Sequence, residues 1–233
     1  MARYQLILAY EGTDFAGFQR QRNARTVQAV IESALRELDW QEESILFAGR
    51  TDAGVHASGQ VISFSLDWQH HEDELLNALN ARLPQDTVGQ SIAQVEAEFH
   101  PRYDASSRTY LYTIYHATQV QPLRERYAWR IWPPLNGILL NEAAETFIGR
   151  HDFTAFGRAM KPGASTVREV FTSRWSQFQN GWQYEVSANA FLYHMVRRLV
   201  YLQVQYTKNC MTMSDLKRGF DEKEIIKPGL APS

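Results

Sequence analysis

One carboxylate in this chain sits where a nucleophile would be placed. Asp52 lies in Gly49-Arg50-Thr51-Asp52-Ala53-Gly54-Val55-His56-Ala57, with a guanidinium two residues before it and glycines on both sides. The stretch leaves an apolar-rich run, Ser44 to Ala48, and re-enters an alternating one, Val61 to Leu66. Glycines flanking a turn let a bulky partner approach the backbone and the one side chain able to attack it. That arrangement suits a nucleophilic aspartate facing a planar substrate. It is also the pattern of an aspartate that hydrogen-bonds its own turn.

A carboxylate that stays charged while substrate desolvates it needs a cation, because burial raises its pKa and a neighbouring arginine lowers it by about 1–3 units. Arg50 is too near in sequence for bidentate pairing with Asp52 and is placed instead to point outward toward a ligand. Arg197 falls in a helical row with Tyr193, Val200 and Val204. A charge among such neighbours wants an anion, or snorkels to water. Tyr110, on a strand expected to face a cleft, offers a stacking surface worth roughly 1–3 kcal/mol per base and a phenol that relays a proton; packing within the sheet is the alternative. His70 and His71 lack the i, i+4 spacing of a zinc pair, and His56 and His194 have no accompanying ligands, so no metal is expected. A single cysteine, Cys210, excludes an internal disulfide and a cysteine-based zinc site. With no Gly-rich phosphate loop, neither ATP nor NAD is supported, and no cofactor is expected.

The elements that must hold these side chains follow from periodicity. Tyr4 to Tyr10 reads as a strand. Thr26 reads as the N-cap of a helix with Val27, Val30, Ile31, Ala34, Leu35 and Leu38 at helical spacing. Ser44–Gly49 and Gln60–Leu66 are strands, the second with Ile62, Phe64 and Leu66 on one face. A helix follows from about Asp73, striped by Leu75, Leu76, Leu79 and Leu83, with Pro84 just beyond. Thr87–Phe99 closes a β-α-β-β-α-β unit of the ferredoxin-like kind. The second half starts the order again: strand Arg108–His116 with Tyr110 and Tyr112 on one face, a long Pro- and Arg-containing loop, and helix Asn141–Ile148. Strands Val167–Phe178 and Gln183–Ala188 follow, joined at Asn180-Gly181, and then a helix from Phe191 to about Tyr206. A sixth element is missing before the chain reaches Lys227-Pro228-Gly229-Leu230-Ala231-Pro232-Ser233. The expectation is an α+β protein of two ferredoxin-like subdomains, residues 1–104 and 105–233, the second copy truncated and left with an exposed sheet edge. Two sheets side by side, with helices on one face, leave a broad cleft on the other, better suited to a polymer than to a small metabolite.

Composition narrows the class. At 233 residues and 44% hydrophobic content the chain buries one large core or two small ones. No run approaches the roughly 20 apolar residues of a membrane span, and Met1-Ala2-Arg3 leads straight into a strand without a signal pattern. A soluble cytosolic protein is expected. A net charge of −2 argues at first against nucleic acid. However, the acidic residues gather in Glu32 to Glu43, Asp67 to Glu74 and Asp221 to Glu224, segments that read as outer helices or tail. Of the 24 basic residues only five are lysine, all at Lys161 or later. Arginine-dominated charge fits planar recognition of phosphate and base edges. Candidate clusters are Arg20/Arg22/Arg25, Arg102/Arg108, Arg124/Arg126/Arg130 and Arg197/Arg198, each of which is also compatible with ordinary surface charge.

Taken together, the motifs resemble the TruA family of tRNA pseudouridine synthases from Tyr10 to about Val200. The resemblance is carried by Tyr10-Glu11-Gly12-Thr13-Asp14-Phe15-Ala16-Gly17-Phe18-Gln19-Arg20-Gln21, by Thr26-Val27-Gln28 and by the Gly49 to His56 turn. It continues through Phe99-His100-Pro101-Arg102-Tyr103, Tyr110-Leu111-Tyr112, His151-Asp152-Phe153-Thr154-Ala155-Phe156, Asn189-Ala190-Phe191 and His194-Met195-Val196-Arg197. It implies that Asp52 is the catalytic nucleophile, that Tyr110 contacts the target base, that Arg197 pairs with the aspartate and that Arg50 helps extrude the uridine. It further implies a homodimer, without metal or organic cofactor, acting on tRNA in the anticodon stem-loop, typically at positions 38 to 40. The chemistry agrees: the isomerisation breaks an N-glycosidic bond and remakes it through carbon, so it needs no energy source. Attack on the ribose C1′, addition to the uracil ring and abstraction of a ribose proton all remain open to Asp52, and Tyr110 is the candidate base for the C5 proton. Phe18 stands where the family commonly has tryptophan, and the family usually continues past a Gly-Leu-Ala-Pro-like segment into a closing strand. Two rivals predict otherwise. A non-catalytic tRNA-binding or folding protein would lose nothing on Asp52 substitution, and an aspartyl hydrolase of small molecules would work without RNA, in an enclosed pocket.

Overall fold

The computed structural model of the protein describes residues 1–223 and 228–233. Glu224, the end of the expected acidic segment, and Lys227, the start of the expected tail, lie outside them. The chain divides into two compact units, Met1–Ala105 with Ser233, and Ser106–Pro232.

The first unit runs β1 (Ala2–Tyr10), α1 (Val27–Arg36), β2 (Leu46–Phe47), β3 (Ala57–Leu66), α2 (Glu72–Asn80) and β4 (Thr87–Val95). Its sheet has the order β2-β3-β1-β4, the ferredoxin-like arrangement, with antiparallel pairing throughout. Strict alternation sends Tyr4, Leu6, Leu8 and Tyr10 inward, with Tyr4 opposite Phe64 and Leu6 opposite Ile62. The apolar stripe of α1 (Val27, Ile31, Ala34, Leu35) and Leu75 and Leu79 of α2 belong to the same buried core. Burying each of the valine, leucine and isoleucine side chains among them stabilises by about 1.5–3 kcal/mol. Pairing between β1 and β3 shifts register between Leu8 and Tyr10, which sets Tyr10 opposite Ala57, where the Asp52 turn enters β3.

Several boundaries differ from the periodicity. β2 shrinks to two residues, α2 stops before Leu83, and β4 stops at Val95. Thr26 has the extended backbone of an N-cap, yet its hydroxyl makes no capping bond and is buried without a partner. Glu32, grouped above with solvated outer charge, is 1% exposed.

The second unit runs β5 (Arg108–His116), α3 (Pro122–Glu125), β6 (Trp129–Ile131), α4 (Gly137–Glu145), β7 (Gly149–Asp152), a 3₁₀ turn (Thr154–Phe156), β8 (Val167–Phe178), β9 (Gly181–Ala188), α5 (Met195–Thr207) and α6 (Met213–Glu222). Its sheet order is β6-β5-β9-β8-β7. The β5-β9-β8 core repeats β1-β3-β2 of the first unit. The place that β4 fills beside β1 is taken beside β5 by β6, which pairs parallel to it over Ile114–His116. Among the described residues no strand follows α5, and the edge expected to be bare is covered over those three pairs.

Local chemistry explains the other shifts. Asn136 caps α4 by accepting from the Ile138 amide at 2.9 Å, so the helix starts ahead of Asn141. α5 starts only at Met195, because His194 is left-handed at φ +62°; Tyr193 is therefore outside the helical row expected for Arg197. The β8–β9 turn is Gln179-Asn180, and Gly181 lies inside β9, where a Cβ would run into the Ile114 carbonyl. Polar groups in this core are paired: Trp175 Nε1 donates to Gln203 Oε1 at 2.7 Å and Ser173 Oγ to the Ala144 carbonyl at 2.7 Å. Among the described residues no helix is long and apolar enough to cross a membrane.

Candidate active site

The turn carrying Asp52 is held by the segment that follows β1. Phe18 N donates to the Thr51 carbonyl (3.1 Å) and Gly54 N to the Phe15 carbonyl (3.3 Å). Gly12 N donates to His56 Nδ1 (2.9 Å), and Tyr10 and Thr51 share a hydroxyl hydrogen bond (2.9 Å). Gln60 Nε2 donates to the Gly49 carbonyl. Val55 N to the Asp52 carbonyl (3.2 Å) closes a four-residue turn with Gly54 at φ +79° in its third position, where a type II turn requires a positive φ. The contact between the two segments is close: a Cβ on Gly12 would enter the Val55 carbonyl, and one on Gly17, at φ +93°, would stand 2.9 Å from the Thr51 oxygen. His56, considered above as an isolated ligand candidate, serves as an acceptor for this packing and lies 3.3 Å from Glu11 Oε1. On this scaffold Asp52 is half-buried and Arg50 exposed.

Behind the turn lies a buried polar knot. Gln28 accepts from Arg20 N (2.9 Å) and donates to Glu32 Oε1 (2.8 Å) and Ser44 Oγ (2.9 Å). Arg20 Nη1 donates to Glu32 Oε2 at 2.7 Å and Ile45 N to Glu32 Oε1 at 3.3 Å. A buried carboxylate is tolerated only with such pairing. Arg20 thus has a partner within the fold, and so does Arg25, bidentate to Asp86 at 2.8 and 3.0 Å with its guanidinium 4.0 Å from the Phe15 ring centroid. Phe18 is fully buried with its ring 4.8 Å from that of Phe47, a core aromatic.

Tyr110 and Arg197 belong to the second unit. Tyr110, read above either as facing a cleft or as packing within the sheet, alternates with Tyr112 and buried Ile114 and lies on the face that packs on α4 and α5. There its ring meets Phe191 edge-on, centroids 5.0 Å apart at 84°. Arg197, half-buried on α5, donates from Nε to the Ala231 carbonyl (2.7 Å), while Ala231 N donates to the Arg197 carbonyl (3.2 Å). The Tyr112 hydroxyl donates to the Pro232 carbonyl at 2.9 Å. Burial pushes the Tyr112 phenol pKa up, opposed in part by the Arg197 charge. The segment around Ala231, buried itself, is therefore clipped to both β5 and α5, a feature with no periodic signal. Arg50 and Asp52 thus share one turn, Tyr110 and Arg197 sit on neighbouring elements of the other unit, and the two pairs belong to different units.

Two further motifs have structural roles. Asp152 Oδ1 accepts from Thr154 N (3.1 Å), Thr154 Oγ1 (2.7 Å) and Thr166 Oγ1 (2.6 Å), and Lys223 Nζ lies 3.0 Å from Oδ2. These bonds hold its carboxyl well below the usual carboxylate range. Phe147, Phe153, Phe156 and Phe220 pack beside it as an aromatic cluster. Arg124 bonds Gln179 Oε1 (2.9 Å) and lies over the Tyr115 ring, and Arg130 lies 3.6 Å from Glu125. Among the described residues no group of three or more His, Cys, Asp or Glu side chains could hold a metal ion.

The family model for tRNA pseudouridine synthase matches residues 6–104 and 143–231. The match includes Arg50, Asp52 and Arg197; Tyr110 lies in the interval between its two parts. The chain is 36% identical over 228 residues to a tRNA pseudouridine synthase A of Pseudothermotoga lettingae, covering 97% of this chain and 93% of that protein. It is 38% identical over 201 residues to a tRNA pseudouridine synthase A 2 of Bacillus cereus, covering 86% and 82% of the two chains. To a tRNA pseudouridine synthase A of a Thermoanaerobacter species it is 37% identical over 200 residues, at the same coverage.

Proposed function

The chain belongs to the tRNA pseudouridine synthase family, and from that premise we propose that Asp52 is the nucleophile with which it isomerises uridine in the tRNA anticodon stem-loop, at positions 38 to 40. The observation that supports Asp52 is the turn itself: backbone and side-chain hydrogen bonds tie it to Tyr10, Gly12, Phe15 and Phe18, with the carboxylate half-buried and Arg50 exposed beside it. A rigid backbone under a reacting group limits the motion that would otherwise blunt attack.

The reaction breaks N1–C1′ and forms C5–C1′; C5 loses its proton and N1 gains one, so no atom or electron enters or leaves overall. A base in a stem must first leave the stack, at a cost of a few kcal/mol. Arg50, exposed at the turn, fills the vacated space, and Tyr110, only half-buried beside Phe191, contacts the extruded base with the exposed part of its ring and receives the C5 proton. Arg197 is the counter-ion that keeps Asp52 ionised once substrate excludes water. Its Nε bond to Ala231 restricts the orientation of its guanidinium. The enzyme works as a homodimer in the cytoplasm.

Asp52→Asn tests the assignment. Mapped by chemical derivatisation of pseudouridine in a tRNA transcript, product formation is abolished, while tRNA affinity stays within a few-fold of the parent. Retained activity in that variant refutes Asp52 as the nucleophile.

A further inference from the structure

The second unit carries an aromatic and cationic cluster that neither its core nor the proposed chemistry uses. After the 3₁₀ turn the chain runs back beside the start of α5, where Arg158 and Tyr193 exchange backbone hydrogen bonds: Arg158 N to the Tyr193 carbonyl at 3.1 Å, and Tyr193 N to the Arg158 carbonyl at 2.9 Å. Gly157 is pressed so close to Leu192 that a Cβ there would lie 2.7 Å from the Leu192 Cβ, so the two segments are in direct contact. Tyr193 stacks on His194, with centroids 3.7 Å apart and ring planes 27° from parallel. The Arg158 guanidinium stands 5.4 Å from the Tyr193 centroid.

Three features set this cluster apart from packing. Tyr193 is 37% exposed and is not among the side chains packed on the hydrophobic core of its unit. His194 holds a left-handed backbone, φ +62° and ψ 7°, which costs energy for a residue with a Cβ. A strained backbone persists where the surroundings over-determine it, and it concentrates at ligand-binding positions. The Arg158 guanidinium stands within cation–π reach of the Tyr193 ring, which places a positive charge beside an exposed aromatic side chain. Lys161, exposed in the same loop, adds a second positive charge.

We propose that Tyr193, His194 and Arg158 form a second RNA contact, in which an unpaired nucleobase of the tRNA stacks on the Tyr193–His194 pair and its phosphate meets Arg158. Aromatic rings with a neighbouring arginine bind single-stranded bases without reading their sequence, since every base has a π-face. This contact rests on tRNA being the substrate, and it serves docking rather than bond making.

The test measures binding of an unmodified tRNA transcript to the full chain by fluorescence anisotropy across a salt series, together with steady-state kinetics. The parent protein is assayed first: if it forms no pseudouridine and binds no tRNA, the proposed function itself fails. Given an active parent, Tyr193→Ala weakens tRNA binding by about 5- to 100-fold, with the loss falling on Kd and KM far more than on kcat. Tyr193→Phe restores affinity to within about twofold. Arg158→Ala lowers the slope of log Kd against log salt by about one. His194→Gly keeps the left-handed backbone but removes the ring, and it weakens binding in the same direction, which covers the case of a Tyr193→Ala protein that does not fold. A folded Tyr193→Ala or His194→Gly protein with parental Kd and KM overturns the contact while leaving the proposed function intact, and so does a loss confined to kcat.

Discussion

Gly17→Ala separates two effects that the packing around Asp52 couples. The position has φ +93°, and an added Cβ would stand 2.9 Å from the Thr51 carbonyl oxygen and 3.4 Å from the Ala53 amide. A left-handed backbone costs an L-residue about 1–2 kcal/mol, and the clash adds to that, while the stiffer unfolded chain returns about 0.4–1 kcal/mol. The net loss is about 1–2 kcal/mol, a fall in Tm of roughly 2–8 °C for a chain of this size. Relief of the clash moves the Thr51 carbonyl by a few tenths of an ångström, one peptide from Asp52. A displacement of about 1 Å costs on the order of 100-fold in rate, so kcat for pseudouridine formation falls roughly 3- to 10-fold. Gly49→Ala is the control for stability, since no atom lies within 4 Å of its added Cβ and its φ is not positive; it melts at or slightly above the parent. Differential scanning calorimetry and single-turnover kinetics on the two variants read both effects. A Gly17→Ala protein that melts within a degree of the parent, or a Gly49→Ala protein that is equally destabilised, refutes the account of how the turn is held.

Two other perturbations follow from buried polar groups. Gln28→Ala strips Arg20 N, Ser44 Oγ and the buried Glu32 of a partner each; it destabilises by roughly 1–3 kcal/mol in chemical denaturation, and a change under half of that lower bound contradicts the network. Asp152 has a folded pKa depressed below its unfolded value, so its stabilisation is present above about pH 4 and is lost as pH falls through that value and below. Asp152→Asn is therefore less stable than the parent by about 1–3 kcal/mol at pH 7. That gap closes toward pH 2, and denaturant midpoints whose difference ignores pH rule the mechanism out.

Legibility in the sequence tracked the physics of each feature. Alternation in Tyr4–Tyr10 and the 3.6 spacing of Val27, Ile31, Ala34 and Leu35 are burial patterns, and burial is what periodicity encodes. The Asp52 turn was visible because a chain reversal with a positive φ requires glycine, and Gly54 supplies it. What escaped depends on partners distant in sequence. Nothing in the local charge of α1 distinguishes buried Glu32 from its solvated neighbours, because the cation that makes burial tolerable is Arg20, outside the helix. The facing of Tyr110 hinged on which side of β5 the helices cover, and the strand alone, with large side chains on both faces, is ambiguous. His194 delayed the start of the helix through a backbone angle, not through a residue type that forbids helix. The clip at Ala231 joins residues more than thirty positions apart, and Ala231 and Pro232 take part in it only through main-chain groups, which carry no residue signature.

The substitution of β6 for a late strand beside β5 changes the order in which the second unit can assemble. A partner supplied after α5 would have to wait for β8, β9 and that helix, closing a loop that spans most of the unit. β6 instead arrives after a connection of about a dozen residues, near the minimum for a parallel crossover. Lower sequence separation favours faster folding. The edge of β5 next to Ile114, Tyr115 and His116 can then be filled without waiting for a strand beyond α5, and a growing or refolding chain offers less bare backbone there to a second molecule.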